Sequence, residues 1–166
     1  MATLVDHQIR TLSRTKGLIE PFCADQVNPA SYDVKLGEEI LVENDSGGFT
    51  SFDIKNDRFY MPPGAFILAC TQEVVRVPID TECIFQLKSS MGREGYGHQL
   101  AAYIDPGFHG RITLELHNSR RFRELPLYYG LSIGQLRFCR LSGIPNRPYS
   151  LTGRYHNAAG VEESKG

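Results

Sequence analysis

The densest group of polar residues lies in the segment LKSSMGREG, residues 87–95. The segment combines two cations, two hydroxyl groups and a glycine that leaves backbone N–H groups open: Lys88, Arg93, Ser89, Ser90 and Gly92. Such groups bind phosphate oxygens in proteins, but the same residue types also favour solvent-exposed turns. The segment therefore predicts either a phosphate-binding loop or an ordinary turn. It is not a P-loop, because the order G-x-x-x-x-G-K followed by Ser or Thr is absent.

Two carboxylates further along the chain could perform acid–base chemistry. Asp105 precedes a Pro-Gly turn, where its ordinary role would be to hydrogen-bond its own turn. Glu115 stands between Leu114 and Leu116 in a strand-like segment, a position that β-propensity disfavours for Glu. On an open sheet face this carboxylate would be solvated. In a cleft, burial would raise its pKa into a range that suits a general acid or base.

The last segment, residues 146–166, is polar and contains glycine but shows no strand pattern. It carries Tyr149, Arg154 and Tyr155, which singly are ordinary surface residues. Together they suit a flap that lays an aromatic ring and a cation over a bound nucleotide. We expect a tail that is either disordered or ordered only by a ligand.

The elements that would position these residues are mostly strands. Residues 6–16 predict a helix, with Asp6 as its N-cap and Gly17 as its stop. Elsewhere the apolar period is two, as in SYDVKL, RITLELHN, AFILACTQEVVRV and GQLRFCRL, with turn signals between the strands. In RITLELHN, one face is apolar and carries Ile112, Leu114 and Leu116. The opposite face carries Arg111, Thr113, Glu115 and His117. Many short strands predict a mainly antiparallel sandwich or barrel.

Composition excludes several classes of protein. The 166 residues fit one domain, and 41% hydrophobic with 22% charged residues is typical of a globular protein. Lys and Arg total 18 against 19 Asp and Glu, a balance that argues against nucleic-acid binding and against attachment to anionic membranes. No apolar run is long enough for a membrane span or a signal peptide, so a cytoplasmic location is expected.

The sequence also predicts that no side chains bind a metal. The four cysteines include no C-x-x-C pair and are expected to be reduced and mostly buried. The five histidines show neither an H-x-x-x-H nor a two-His-carboxylate spacing. We therefore expect neither zinc nor another protein-held metal.

Taken in order, these segments resemble the dCTP deaminases of the trimeric dUTPase superfamily. The resemblance runs from LVDHQIRTLSRTKGLIEPF and NPASYDVKLG through KSSMGR, HQLAAYIDPGFHGRITLELHN and GLSIGQLRFCRL to RPYSLTGRYHN. It covers nearly all of residues 4–160, and the motifs KSSxGR, IDPGFxGxxTLEL and GxxIGQL are specific as a set. It implies a distorted antiparallel β-barrel of jelly-roll type, with a short N-terminal helix and residues 148–166 as a tail that closes over the substrate. It also implies a homotrimer with active sites between subunits, and Mg²⁺ carried in with the triphosphate.

The resemblance assigns catalytic roles to three residues. Glu115 corresponds to the family's general acid–base, and Arg93 is expected to orient it. Ser89 is expected to hold the attacking water or the cytosine, together with backbone groups around Ala101. This chemistry uses no zinc, and the H-x-E…P-C-x-x-C signature of the zinc deaminases is absent.

The resemblance also assigns substrate contacts. Asp105 is expected to accept the sugar 3′-hydroxyl, and Phe108 to pack on the deoxyribose. Thr113 and Leu114 are expected to line the base pocket, and Tyr149 and Arg154 to close over the phosphates. The remaining substrate-binding positions implied by the family lie around the phosphates and the base: Lys88, Ser90, Met91, Gly92, His98 and Ala158.

Three features depart from the family. Leu100 replaces a threonine and Ala158 replaces a glutamine that would touch phosphate, while the loop between Arg93 and Asp105 is one residue shorter than in some relatives. We expect deamination of dCTP to dUTP and ammonia, feeding dUMP and dTTP synthesis. The alternatives are a bifunctional enzyme that forms dUMP and pyrophosphate, a dUTPase, and a nucleotide-binding regulator without turnover.

Overall fold

The computed structural model describes residues 2–99 and 102–166. Thirteen strands and three α-helices are found in these residues, together with a short 3₁₀ helix, Ala24–Gln26. The helices are α1 (Asp6–Lys16), α2 (Ser89–Glu94) and α3 (Tyr149–Thr152). The strands are β1 (Ala2–Thr3), β2 (Ile19–Glu20), β3 (Val27–Asn28), β4 (Ser31–Glu43), β5 (Phe49–Asp53), β6 (Phe59–Met61), β7 (Phe66–Arg76), β8 (Thr81–Leu87), β9 (Tyr96–His98), β10 (Tyr103–Ile104), β11 (His109–Asn118), β12 (Leu125–Leu127) and β13 (Ser132–Arg140).

The N-terminal helix has the predicted bounds but a different cap. It ends at Gly17, whose φ of 62° is the left-handed conformation that glycine adopts most readily. Its N-cap is Val5, whose backbone N–H donates to Oε1 of Gln8 at 3.1 Å. The prediction of Asp6 as N-cap was wrong by one residue. Asp6 lies in the first turn instead, where its negative charge favours the positive end of the helix dipole.

All the strand pairs form antiparallel ladders, and the long strand β4 joins two sheets. Residues Tyr32–Lys35 of β4 pair with β13, and from Leu36 onward the strand pairs with β7, with an irregularity between Leu36 and Ile40. One sheet therefore has the order β10-β8-β13-β4 and the other continues as β4-β7-β11-β9. The result is a curled, mainly β half-barrel, which confirms the predicted fold class.

Strand β11 shows the predicted alternation between two faces. Ile112, Leu114 and Leu116 are buried in the core, at 8%, 0% and 0% exposure. Arg111, Thr113, Glu115 and His117 lie on the opposite face and are only half-buried. A strand with one apolar face fixes its register, because a slip by one residue would move every apolar side chain out of the core. The core thus fixes the position of the polar face. Separately, none of the helices in the described residues is long and apolar enough to cross a membrane.

Candidate active site

The polar face of β11 forms one wall of a cavity of about 490 Å³, a volume within the range of small-molecule sites. The opposite walls come from the turn before β11 and from the C-terminal tail. The residues that matter most for chemistry in this cavity are Asp105, Phe108, Arg111, Thr113, Glu115 and Tyr149. With Tyr155 and Ala158, which also line the cavity, the structure brings together seven residues that the sequence singled out, and adds Arg111 to them.

Glu115 lies at the inner part of this wall, next to His98 of β9. Nε2 of His98 is 3.3 Å from Oε2 of Glu115, but the direction is not that of a hydrogen bond. Both atoms are buried and have no hydrogen-bond partner among the described residues. Burial raises the pKa of Glu115 and lowers the pKa of His98, since a charged group is poorly solvated there. A buried carboxyl oxygen without a partner is available to a ligand.

Asp105 and Phe108 occupy the turn between β10 and β11. Partial burial raises the pKa of Asp105, so the cavity holds two carboxyl groups whose protonated forms are favoured. Phe108 is 8% exposed, and its ring centroid lies 5.8 Å from that of Tyr149 in the tail. An apolar ring beside a carboxylate suits a sugar, which presents both C–H groups and hydroxyls.

The tail is held by the chain itself, contrary to the expectation that only a ligand could order it. The backbone N–H of Tyr149 donates to the carbonyl of Pro106 at 2.8 Å, and that of Asn157 donates to the carbonyl of His109 at 2.6 Å. Ala158 is 6% exposed and its carbonyl accepts from the N–H of Arg111 at 2.9 Å. The sequence pattern missed these contacts because they use backbone groups and single small or aromatic residues, which leave no apolar period.

Glycine is required where the tail meets β11. A Cβ at Gly110 would lie 2.7 Å from the backbone nitrogen of Ala158, and the φ of Gly110 is 146°. Any residue with a side chain at position 110 would have to displace the backbone of the tail.

The predicted phosphate-binding residues do not line this cavity in the same chain. They lie at the end of β8 and on α2: Lys88, Ser89, Ser90, Met91, Gly92 and Arg93. Nζ of Lys88 forms an ion pair with Asp33 and lies 3.3 Å from Oγ of Ser132. Met91 lines a smaller cavity of about 240 Å³, with Glu94 and Tyr96 among its other lining residues. Arg93 is therefore not among the residues that line the cavity of Glu115 in the same chain.

Two further expectations need correction, and two lie outside the described residues. The side chain of Leu114 was expected to line the base pocket, but it is fully buried because β11 turns it to the core face. Arg154 is exposed and does not line the cavity with Tyr149. Ala101 and Leu100 lie outside the described residues.

Several lining residues were missed by sequence reasoning. Arg111 shares the face of Thr113 and Glu115, so the alternation that identified that face was also the signal for Arg111. Glu162 lines the cavity and its backbone N–H donates to Oγ1 of Thr113 at 3.2 Å, a contact without a sequence signal. Across residues 2–99 and 102–166, no three His, Cys, Asp or Glu side chains are grouped as a metal site.

Comparison with known proteins places this geometry in a family. A family model described as dCTP deaminase-like matches residues 3–141. The chain is 32% identical to a dUMP-forming dCTP deaminase of Persephonella marina, with 98% of this chain and 96% of the relative covered. It is 35% identical to a dUMP-forming dCTP deaminase of Rhodococcus opacus, with 98% and 95% covered. The chain belongs to the dCTP deaminase family. A relative named simply dCTP deaminase, from Pyrococcus horikoshii, is 35% identical, with 92% of each chain covered.

Solved structures agree on the fold of this family member. The 2′-deoxycytidine 5′-triphosphate deaminase of Agrobacterium tumefaciens matches with a TM-score of 0.72 at 23% identity, covering 85% of this chain and 49% of that one. A variant of the Staphylococcus bacteriophage 80alpha dUTPase matches with a TM-score of 0.51 at 12% identity, covering 71% and 81%. The predicted resemblance to the dCTP deaminase family and to the dUTPase fold is confirmed.

Proposed function

We propose that this protein hydrolyses dCTP at C4 of the base with Glu115 as the general acid–base. The observation that carries the proposal is the buried Oε2 of Glu115, which has no hydrogen-bond partner among the described residues and belongs to a cavity-lining side chain. Because burial raises the pKa of Glu115, its carboxylate is a stronger base than an ordinary Glu side chain, and its protonated form persists to higher pH than that of an ordinary Glu.

Glu115 makes two proton transfers in this chemistry. It takes a proton from water as the oxygen adds to C4, which gives a tetrahedral intermediate with negative charge on N3. The protonated Glu115 next donates to the amino nitrogen, and ammonia leaves. The remaining proton of the C4 hydroxyl moves to N3, so that the C4 carbonyl forms. One dCTP and one water yield one dUTP and one ammonia, and Glu115 returns to its starting state.

The sugar and the base are held by the remaining wall. Asp105 accepts a hydrogen bond from the 3′-hydroxyl, and the Phe108 ring packs on the deoxyribose beside Tyr149. Thr113 lines the base end next to Glu115. All three residues line the cavity, and mutation of each tests its role.

The phosphates of dCTP require more cations than Arg111, the only basic side chain that the described residues bring to the cavity. We propose that Lys88, Ser89, Ser90 and Arg93 act in a site formed between copies of the chain in a homotrimer. Met91 and Gly92 lie in the same short helix and would accompany them. The substrate would enter as its Mg²⁺ complex, in which the triphosphate oxygens hold the metal. Sedimentation or light scattering measures the number of chains in the oligomer. The cytoplasmic location stays a prediction.

The product is proposed to be dUMP and pyrophosphate, the alternative that the sequence left open, rather than the dUTP expected first. Two of the three relatives named above carry the designation dUMP-forming. The second carboxyl group of the cavity, Asp105, supports this choice, because attack at the α-phosphate needs a second water and a base. The full reaction consumes one dCTP and two waters, and releases dUMP, ammonia and pyrophosphate.

One incubation tests both parts of the proposal. The purified protein is mixed with dCTP and Mg²⁺, and nucleotides, ammonia and pyrophosphate are resolved over time, with dUTP as a parallel substrate. Equal amounts of ammonia, dUMP and pyrophosphate are expected. Ammonia with accumulating dUTP would leave deamination in place and reject the dUMP step. Turnover of dUTP without turnover of dCTP would indicate a dUTPase, and binding without turnover would indicate a regulator.

A further inference from the structure

Arg111 is the only basic side chain among the described residues that line the cavity. It lies two residues before Thr113 and four before Glu115 on the same face of β11. The other charged lining residues are acidic: Asp105, Glu115 and Glu162. A triphosphate brought into a cavity with this charge balance would be repelled by the carboxylates. Arg111 is the one cation that the cavity-forming chain itself offers to an anion.

Contacts with neighbouring residues fix the position of the Arg111 guanidinium. Its Nη1 is 3.3 Å from Oε1 of Glu38, and the two side chains are 22% and 41% exposed. It also passes over Gly37, where an added Cβ would lie 3.4 Å from Nη1. Glu38 does not line the cavity, so the ion pair holds the guanidinium at the cavity rim. Because the pair is partly solvated, the energy that favours it is small, and an incoming phosphate can compete for the donors.

The tail passes directly over this residue. The N–H of Arg111 donates to the carbonyl of Ala158 at 2.9 Å, so the side chain of Arg111 begins where the tail crosses β11. Ala158 presents only a methyl group to the cavity and offers no side-chain donor. Each residue of a strand adds about 3.3 Å, so a fully extended strand would separate Arg111 and Glu115 by roughly 13 Å. The bulge between Arg111 and Thr113 shortens this distance along β11. A nucleoside can lie between two groups at that separation.

From these observations we infer that Arg111 binds the phosphates of the substrate and thereby determines its affinity for nucleotides over nucleosides. This inference rests on the proposed function, because it takes dCTP as the ligand. Arg111 acts in cis, from the same chain as Glu115. A guanidinium binds phosphate with paired N–H donors, a geometry that an ammonium group reproduces only in part. The site therefore prefers Arg to Lys.

The test uses three variants and two ligands. Binding of dCTP with Mg²⁺ is measured by calorimetry in proteins that also carry Glu115→Gln, in which turnover is lost, and the KM and kcat of deamination are measured in proteins that keep Glu115. Loss of charge-assisted hydrogen bonds in Arg111→Gln should raise the Kd and KM for dCTP by roughly tenfold to a hundredfold, with kcat changed far less. Arg111→Lys should restore part of the loss. Inhibition by deoxycytidine, which has no phosphate, should be the same in Arg111→Gln as in the unaltered protein.

Glu38→Gln is the matched control, because it removes the same ion pair but leaves Arg111 in place. Its Kd for dCTP should be unchanged or lower. Weakened dCTP binding in Glu38→Gln equal to that of Arg111→Gln would overturn the inference, since the pair would then be structural. So would equal losses for dCTP and deoxycytidine, or unaltered dCTP binding by a folded Arg111→Gln protein. Binding is read by calorimetry without turnover, so an absence of deamination would reject the proposed function separately.

Discussion

Nε2 of His98 lies 3.3 Å from Oε2 of Glu115, and the shifted pKa values of the two residues leave both inclined to be neutral. Burial is the main cause for each group, so the pair differs from an ordinary ion pair, in which charge would be favoured on both sides. His98 ends β9, which pairs with β11 through the neighbouring residue Leu116. The imidazole thus closes one side of the carboxyl group and leaves the cavity side to the substrate.

Replacement of Glu115 by Gln should remove deamination. The amide keeps the size and hydrogen-bonding reach of the side chain but cannot transfer a proton, a loss of about 10²–10⁴-fold or more in rate. Nucleotide binding should persist, because the sugar and phosphate contacts are made elsewhere. Release of ammonia measures the rate, and calorimetry with dCTP measures binding. Near-normal turnover would contradict the proposed mechanism.

The same substitution should stabilise the protein at neutral pH. Burial raises the pKa of Glu115 in the folded state above its ordinary value in the unfolded state. At a pH between these two pKa values, the unfolded state binds fewer protons than the folded state. The free energy of unfolding therefore falls as pH rises through this interval. Above the raised value the cost of a buried charge is present in full, and Gln avoids it. Each 1 kcal/mol gained corresponds to about 2–4 °C in Tm for a chain of this size.

The gain in Tm should disappear below the ordinary pKa of Glu, because the carboxyl group is then neutral in both states. Thermal unfolding of Glu115→Gln and the unaltered protein at several pH values measures it. Glu163→Gln, an exposed Glu in the tail, serves as the control and should show no such dependence. A gain that is independent of pH would exclude this explanation.

The fold followed from the sequence because several of its strands, among them β11 and the first half of β4, carry a period of two. The faces of β11 and the N-terminal half of β4 were correct residue by residue, since a buried face selects one register. The candidate site was only partly predictable. Glu115, Asp105 and Phe108 meet in one cavity as expected, whereas Arg93 and Lys88 lie elsewhere in the same chain, and sequence order alone does not reveal whether a second copy supplies them.

The contacts of the tail show where pattern reasoning has no signal. Contacts such as the one between Arg111 N–H and the Ala158 carbonyl involve backbone atoms, which every residue has. Side-chain type and spacing do not encode them. The buried His98 was identified only by resemblance, since its partner Glu115 is distant in sequence and adjacent only through the pairing of β9 with β11.

Asp105→Asn should separate the two hydrolytic steps. The amide still accepts a hydrogen bond from the sugar hydroxyl but cannot serve as a base for water at the α-phosphate. Deamination should continue at a reduced rate, while formation of pyrophosphate falls by about 10²-fold or more, so that dUTP accumulates. Chromatography of the nucleotides formed from dCTP measures the ratio. A parallel loss of ammonia and pyrophosphate would show that Asp105 acts only in binding.

Removal of residues 148–166 should leave the barrel folded but weaken substrate binding. The deletion takes away Tyr149 from the Phe108 ring and exposes that edge of the cavity. We expect a strong rise in the KM for dCTP, roughly tenfold or more, which corresponds to at least about 1.4 kcal/mol of lost binding. Removing only residues 165–166, neither of which lines the cavity, is the control and should have little effect. Unchanged kinetics in the longer deletion would show that the tail has no role in binding.

Gly110→Ala should reproduce part of the tail deletion without removing any residue of the tail. A Cβ at this position meets the Ala158 backbone at 2.7 Å, so the tail must shift away from β11. The KM for dCTP should rise severalfold, and Tm should fall because a non-glycine residue is strained at this φ. Gly64→Ala separates the two effects, since Gly64 also has a positive φ, 77°, but an added Cβ meets no atom within 4 Å. That variant should lose stability and keep its KM. If both variants change KM equally, backbone strain rather than displacement of the tail is the cause.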